Sequence, residues 1–430
     1  MKRYCNALVL GYGRSGKAAE RMLQAEGCDT TVLARETASD NDLNRLLERE
    51  FDVCIVSPGF ALSHPWMVSI RRAGIPLLSE LELGWSRFNG KTVAVTGSNG
   101  KSTAVKWIHE TLGEAGLKSA IGGNYGIPAC EAVLEHPDAE WLVLEVSSFQ
   151  LETVRDFSPD IAIILNILPN HLDRHGSMEA YRQAKARIFG PAGAKGTAIV
   201  PGNLLEILRA EVPVERTWLS FGAEKGADYR FEVGKVLKEG EIVLDLAGTG
   251  FDSPIIGACT GAAVAAFIDT ADLPSGVAET AARRFKPLPH RLQKIGELDG
   301  VAYVNDSKAT NLAAMAAALQ STGSNIHLIA GGLPKESDYT FVKEMLAERV
   351  RSIYVIGQAS RAMYEAWNGV CPCVECGTLD KAFETAQKAA RAGDTILLSP
   401  GCASFDQFSC FEERGERFEK LFHGAGNAWI

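Results

Sequence analysis

Short apolar runs alternate with amphipathic stretches along most of the chain, the pattern of β-strands joined by covering helices. NALVLGYGRSGKAAERML near the start passes from a strand through a glycine turn into a helix. Residues 93–95 lead into TGSNGKST (96–103), behind which Val105, Ile108, Leu112 and Ala115 share one helical face, with Gly116 as a stop. Strands are expected within 51–60, over 141–146 and over 160–167, followed by a β-rich excursion near 229–246. Further strands at 301–304, 327–329, 353–356 and 395–398 alternate with helical stretches. Boundaries are expected at 88–91, where Asn89-Gly90 ends a helical stretch, and at 287–289, a Pro-Leu-Pro break. The fold class is therefore α/β with three domains. A Rossmann-like N-terminal domain spans 1–88, a central phosphate-loop ATPase domain with a mostly parallel sheet spans 89–286, and a Rossmann-like C-terminal domain spans 287–430.

Composition narrows the function classes. A chain of 430 residues exceeds what one hydrophobic core usually supports, and 46% apolar with 23% charged residues is ordinary for a globular protein. The net charge of −9 and the lack of a long basic block argue against nucleic acid as the main partner, while a local basic cleft for phosphates stays allowed. No apolar stretch reaches the ~18 residues of a membrane span, and MKRYCNALVLG enters a strand directly, so a cytoplasmic monomer with no membrane partner is expected. Ten dispersed cysteines are then reduced by default. Cys371, Cys373 and Cys376 cluster, but no fourth ligand follows at zinc spacing and Pro372 suggests a loop or edge strand.

The chemistry sits at strand ends. In TGSNGKST, Gly97 and Gly100 let backbone N–H groups turn around a phosphate, Lys101 is placed for the β/γ-phosphates and Ser102 for Mg²⁺. The match to G-x-x-x-x-G-K-[ST] is imperfect, since Val95 stands where the first glycine belongs. Gly11, Gly13 and Gly16 form a second turn suited to a diphosphate. The next strand ends in Ala34 and Arg35, with Glu36 the nearest acid. That leaves a nicotinamide dinucleotide, another phosphate-bearing ligand and a structural turn all open. Ser57, Pro58 and Gly59 make another turn at a strand's carboxyl end. Glu145 ends a strand beside the phosphate loop, as a Mg²⁺ ligand would. His171, Asp173, Arg174 and His175 crowd one loop, and Lys185 lies on the helix after it; here His171 reads equally as a ligand or as a capping or packing residue.

Taken in order, TGSNGKST, GGNYGIP (122–128), LEVSSFQLE (144–152), NHLDRHGSMEAYRQAKARIF (170–189), LPHR (288–291), NDSKATN (305–311), GGLPKESD (331–338) and SPGCASFDQFSCFEERG (399–415) resemble the Mur ligases. GSNGKST and CAS-x-DQF are most similar to the D-glutamate-adding branch of that family. The resemblance implies ATP-dependent amide ligation in cytoplasmic peptidoglycan precursor synthesis. The substrates would be ATP, D-glutamate and UDP-N-acetylmuramoyl-L-alanine, whose carboxylate is phosphorylated before the amine attacks. It implies two Mg²⁺ ions and a lysine carbamylated by CO₂.

Carried onto matching positions, the ATP residues are Gly97, Ser98, Asn99, Gly100, Lys101, Ser102, Thr103, Arg291 and Asp306. The metal ligands are Ser102, Glu145, His171 and Lys185 as its carbamate, with Lys101, Lys185 and His171 as catalytic groups. The UDP substrate falls to Gly13, Arg14, Ser15, Gly16, Ser57, Pro58, Gly59, Asn124 and Gln150. D-glutamate falls to Lys308, Thr310, Lys335, Ser404 and Phe411. The chain departs from the family in three places: Ala34 and Arg35 at the uracil end, GACTGAA (257–263) where G-x-H-N-x-x-N is usual, and Gln293 where glutamate is common. Cys259, Thr260 and Ala263 thus stand where polar adenine-side residues are expected. A sister amide ligase would lack the CASFDQF segment, and a plain ATPase or regulatory nucleotide-binding protein would turn over without acceptor.

Overall fold

The computed structural model describes residues 3–35, 38–335 and 338–427; Glu36 and, in GGLPKESD, residues 336–337 lie outside them. Three sheets follow one another along the chain. The first comprises β1 (Asn6–Leu10), β2 (Asp29–Leu33), β3 (Val53–Val56) and β4 (Leu77–Ser79), all parallel in the order β2-β1-β3-β4. β3 is buried throughout and β1 at every residue but Asn6. Strands covered on both faces read as unbroken apolar runs, which is why NALVL and VCIV lack alternation.

The second sheet has nine strands: β5 (Lys91–Thr96), β6 (Ser119–Gly123), β7 (Trp141–Glu145), β8 (Ile161–Ile164), β9 (Thr197–Pro201), β10 (Thr217–Gly222), β11 (Tyr229–Glu232), β12 (Lys235–Lys238) and β13 (Glu241–Asp245). Their order is β13-β12-β11-β10-β9-β8-β5-β7-β6, and only the pairs β11–β12 and β12–β13 are antiparallel. β5 lies between β8 and β7, so the loops after these strands open on the phosphate loop.

The third sheet runs β14-β15-β19-β16-β17-β18, from β14 (Gln293–Leu298), β15 (Val301–Asn305), β16 (Ile326–Gly331), β17 (Val350–Ile356), β18 (Cys373–Gly377) and β19 (Thr395–Leu398). β14 alone is antiparallel. The chain passes from β15 to β16 and later inserts β19 between them, so the loops following all three strands gather at one switch point. β18 is an edge strand, and burial pushes the Cys371 thiol up to about 11 and the Cys373 thiol up to about 12.

The chain divides into two compact units, Met1–Ile167 with Arg174–Phe285, and Leu168–Asp173 with Lys286–Ile430. Within the first, the first two sheets are joined through helix Glu80–Trp85 against helix Ala129–Glu135. A Cβ on Gly84 would come within 2.5 Å of the Ala129 carbonyl carbon and the Cys130 nitrogen, so the contact admits only glycine. Glu80 is buried in this seam and accepts from the Cys130 N–H at 2.6 Å. Its neighbour Glu82 accepts from the Arg155 and Asp156 N–H groups. Among the described residues no helix is long and apolar enough to cross a membrane.

Candidate active site

β5 delivers the chain into the loop at Gly97, and helix Lys101–Glu114 starts behind left-handed Gly100 at φ 84°. A side chain there would be strained by its backbone alone, so glycine is required to turn the helix N-terminus toward an anion. Lys101 folds back, its Nζ donating to the carbonyls of Gly97 at 2.8 Å and Ser98 at 3.0 Å. Ser102 is buried in the first turn.

Lys185 comes to the same place from helix Met178–Ala186. It is 1% exposed, and its Nζ donates to Gly97 O at 2.9 Å and Thr96 Oγ1 at 3.2 Å. Two lysines therefore share one carbonyl. Burial drives the Lys185 ammonium well below the usual lysine range, the Lys101 charge pushes the same way, and Glu145 opposes them. The Lys185 amine is thus poised to be neutral and nucleophilic.

Glu145 closes β7 almost fully buried. Its Oε1 accepts from Asn124 Nδ2 at 2.7 Å, while Oε2 is buried without a hydrogen-bond partner. An orphaned carboxylate oxygen is costly unless a cation completes it, so Glu145 fits a divalent metal. No group of three or more His, Cys, Asp or Glu among the described residues could itself hold a metal ion. A Mg²⁺ here would have to share its coordination with hydroxyls and phosphates, as Mg²⁺ commonly does. His171, at φ 55°, belongs to the segment that clusters with the second unit.

Of the residues expected to hold the UDP substrate, those at 13–16 and 57–59 occupy the switch point of the first sheet, while Asn124 and Gln150 come from the loops of the second. Gly11 takes φ 89°, and Ser57 Oγ donates to its carbonyl at 3.2 Å, joining the turns after β1 and β3. Gly16 is required by close approach, since a Cβ would sit 2.0 Å from Gly11 O. Arg14 reaches the Gly126 carbonyl at 3.0 Å, and Arg174, paired with Glu152, donates to the carbonyls of Pro58 and Phe60. These contacts hold both turns against the central sheet. Gln150 spends its side-chain oxygen on a capping box with Ser147, so only its NH₂ could face a ligand. The Arg35 guanidinium carbon lies 4.3 Å from the centre of the Phe60 ring.

In the second unit, Lys308 and Thr310 follow β15, Lys335 follows β16 and Ser404 follows β19. Lys335 Nζ lies 3.4 Å from Thr310 Oγ1, and Lys308 Nζ is 4.4 Å from the centre of the Phe411 ring. Buried Arg414 ties the cluster together, donating to Ser307 Oγ and to the carbonyls of Ser307, Cys402 and Ala403. Arg291 is presented between His290 and Leu292, both left-handed at φ 59° and 44°. Gln293 steadies that turn by accepting from the His290 N–H at 2.8 Å. Asp306 accepts from Ser399 Oγ and the Leu292 N–H, and burial pushes its carboxyl up to about 7.

Three residues here escaped the sequence reading. Arg414 reads as a surface charge on a helix. Tyr181, whose hydroxyl lies 3.2 Å from Ser98 Oγ, reads as helix core. Asn166 carried a usable signal, being the first polar residue after the apolar run of β8 beside the phosphate-loop strand.

Comparison with known proteins bears on this arrangement. Residues 95–264 match the Mur ligase middle domain, and residues 290–402 match the Mur ligase glutamate ligase domain. A protein of Acidobacterium capsulatum called UDP-N-acetylmuramoylalanine–D-glutamate ligase is 37% identical, covering 98% of this chain and 97% of its own. One of the same name from Koribacter versatilis is 36% identical over 96% of each. Among solved structures, the MurF ligase of Thermotoga maritima in complex with ADP has a similar fold, at TM-score 0.62 and 17% identity over 98% of this chain and 96% of that one.

Proposed function

The chain belongs to the Mur ligase family and is an ATP-dependent ligase of peptidoglycan precursor synthesis, and we propose that it joins D-glutamate to UDP-N-acetylmuramoyl-L-alanine through an acyl phosphate. In this reading residues 1–88 hold the UDP substrate, 89–286 the ATP and 287–430 the amino acid, in a cytoplasmic monomer that uses no nucleic acid.

A carboxylate oxygen of the alanyl group attacks the γ-phosphorus of ATP, the bond to the bridging oxygen breaks, and ADP leaves. The amine of D-glutamate then attacks the acyl carbon, inorganic phosphate departs with its C–O bond electrons, and the amine loses a proton to solvent. Such chemistry asks the protein for positioning and charge neutralisation more than for covalent partners. Lys101 and the N-terminus of helix Lys101–Glu114 take the phosphate charge. Lys308, Thr310, Lys335, Ser404 and the Phe411 backbone surround two carboxylates, and Arg291 and Asp306 reach the γ-phosphate and ribose.

The observation that carries the reading is the convergence of Lys101 and Lys185 on one carbonyl. Burial, with the Lys101 charge adding to it, drives Lys185 toward the neutral amine. That amine adds to CO₂, losing a proton, and becomes an anionic carbamate that attracts Lys101 instead. Ser102, Glu145, His171 and the Lys185 carbamate would hold two Mg²⁺ ions, which when bound neutralise phosphate charge. ADP release should require UDP-N-acetylmuramoyl-L-alanine and D-glutamate together; release from ATP alone at the full rate would point to a plain ATPase.

A further inference from the structure

Asn166, two residues after the end of β8, is bonded to the phosphate loop through both its side chain and its backbone. Its Oδ1 accepts from the N–H groups of Ser98 and Asn99, both at 3.0 Å, and its backbone carbonyl accepts from Ser98 N–H at 3.1 Å. Its Nδ2 donates to Asn99 O at 3.1 Å and to the sulfur of Cys259 at 3.3 Å. The Cys259 thiol in turn donates to the Leu165 carbonyl at 3.5 Å. Cys259 lies in the π-helical turn Gly257–Gly261, an irregularity that recurs at functional sites. That turn also lies close to the loop's left-handed glycine, since a Cβ on Gly100 would stand 3.4 Å from Thr260 Oγ1.

We propose that Asn166 is a positioning residue for ATP, a strut locked by the Cys259 thiol that holds the first half of the phosphate loop against the π-turn. The N–H groups of Ser98 and Asn99 are committed to the strut, so the anion is left to the N–H groups from Gly100 onward and to Lys101. The strut replaces loop contacts that glycine-rich backbone cannot make to itself, and it reduces the ordering that nucleotide binding must otherwise supply. Cys259 therefore has a use although its segment departs from the family pattern. The proposal rests on the loop being the ATP site.

The test is steady-state ADP release by the full chain, with ATP and D-glutamate varied separately, alongside thermal melting. Asn166→Ala should raise KM for ATP by about tenfold or more and leave KM for D-glutamate within about twofold. Cys259→Ala should raise KM for ATP about threefold, and Cys259→Ser, which keeps a small hydrogen-bonding group, should return it to within about twofold. A folded Asn166→Ala enzyme with unchanged KM for ATP, or with both KM values raised alike, overturns the strut. Should Asn166→Ala fail to fold, the Cys259 pair decides, and equality of both variants with the parent overturns it. Lys101→Ala separates the two levels: a folded, fully active Lys101→Ala enzyme removes the ATP assignment itself, whereas its inactivity beside an unaffected Asn166→Ala removes only the strut.

Discussion

Glu80 offers a direct test of the seam between the first two sheets, because its burial has a calculable consequence for pH. The seam pushes its carboxyl up from 4.5 to about 7, with desolvation the main cause and the Cys130 hydrogen bonds opposing it. A carboxyl raised on folding binds its proton more tightly in the native state. Its stability contribution is thus complete below pH 4.5 and lost as pH rises through 7. A shift of about 2.5 units corresponds to about 3 kcal/mol in all, of which about 2 kcal/mol is lost between about pH 5.5 and about pH 8.5. Glu80→Gln cannot titrate, and any cost of its NH₂ is the same at every pH. Asp306 and Glu82 are also raised by burial and slope the same way in both proteins, so the parent-minus-variant difference isolates Glu80. Denaturant unfolding followed by circular dichroism should show the parent losing about 2 kcal/mol more than Glu80→Gln across that window. Identical pH slopes would mean that Glu80 titrates as an ordinary carboxylate and that the seam is wet.

Other perturbations probe the loop, the buried lysine and the seam. Lys101→Ala should lower turnover by at least ~10² while melting like the parent, since the lysine Nζ donates to carbonyls of its own loop; near-normal turnover of the folded protein would refute its phosphate role. Lys185→Ala should be nearly inactive, and formate or acetate should restore part of the activity by supplying the missing anion; activity without rescue, or no carbamate carbon in the NMR spectrum of active enzyme equilibrated with ¹³C-labelled CO₂, would refute the carbamate. Gly84→Ala should destabilise by about 1–3 kcal/mol, because its Cβ meets backbone atoms that cannot move aside, and an unchanged melting temperature would contradict the packing.

The sequence disclosed what local pattern encodes. Apolar runs located β1, β3, β5, β7, β8 and, in the third sheet, β15, β16, β17 and β19 but not β14, and the loop between β5 and its helix announced its chemistry through Gly97, Gly100 and Lys101. β9 and β10 went unseen. Their sequences TAIVP and TWLSFG become strands by pairing on from β8, a tertiary cause that no local window contains. Buried charge was hidden for a related reason. Glu80, Glu82 and Arg414 are charged letters on amphipathic helices, which a sequence places outside, and partners far along the chain bring them in. The role of Cys259 followed from a π-turn, and Asn166 from the adjacency of β5 and β8.

The central claim is the identity of the amino acid that the third sheet presents to the ligase. ADP release should be measured with ATP, UDP-N-acetylmuramoyl-L-alanine and a panel of D-glutamate, L-glutamate, D-glutamine, D-alanine, L-alanine, L-lysine and diaminopimelate. D-glutamate should support turnover, and analogues lacking the side-chain carboxylate should fall by on the order of 10⁴ in kcat/KM, because buried donors would be left unpaired. L-glutamate should fail because its amine points away from the acyl group. Preferential turnover of L-alanine, L-lysine or diaminopimelate would contradict the account.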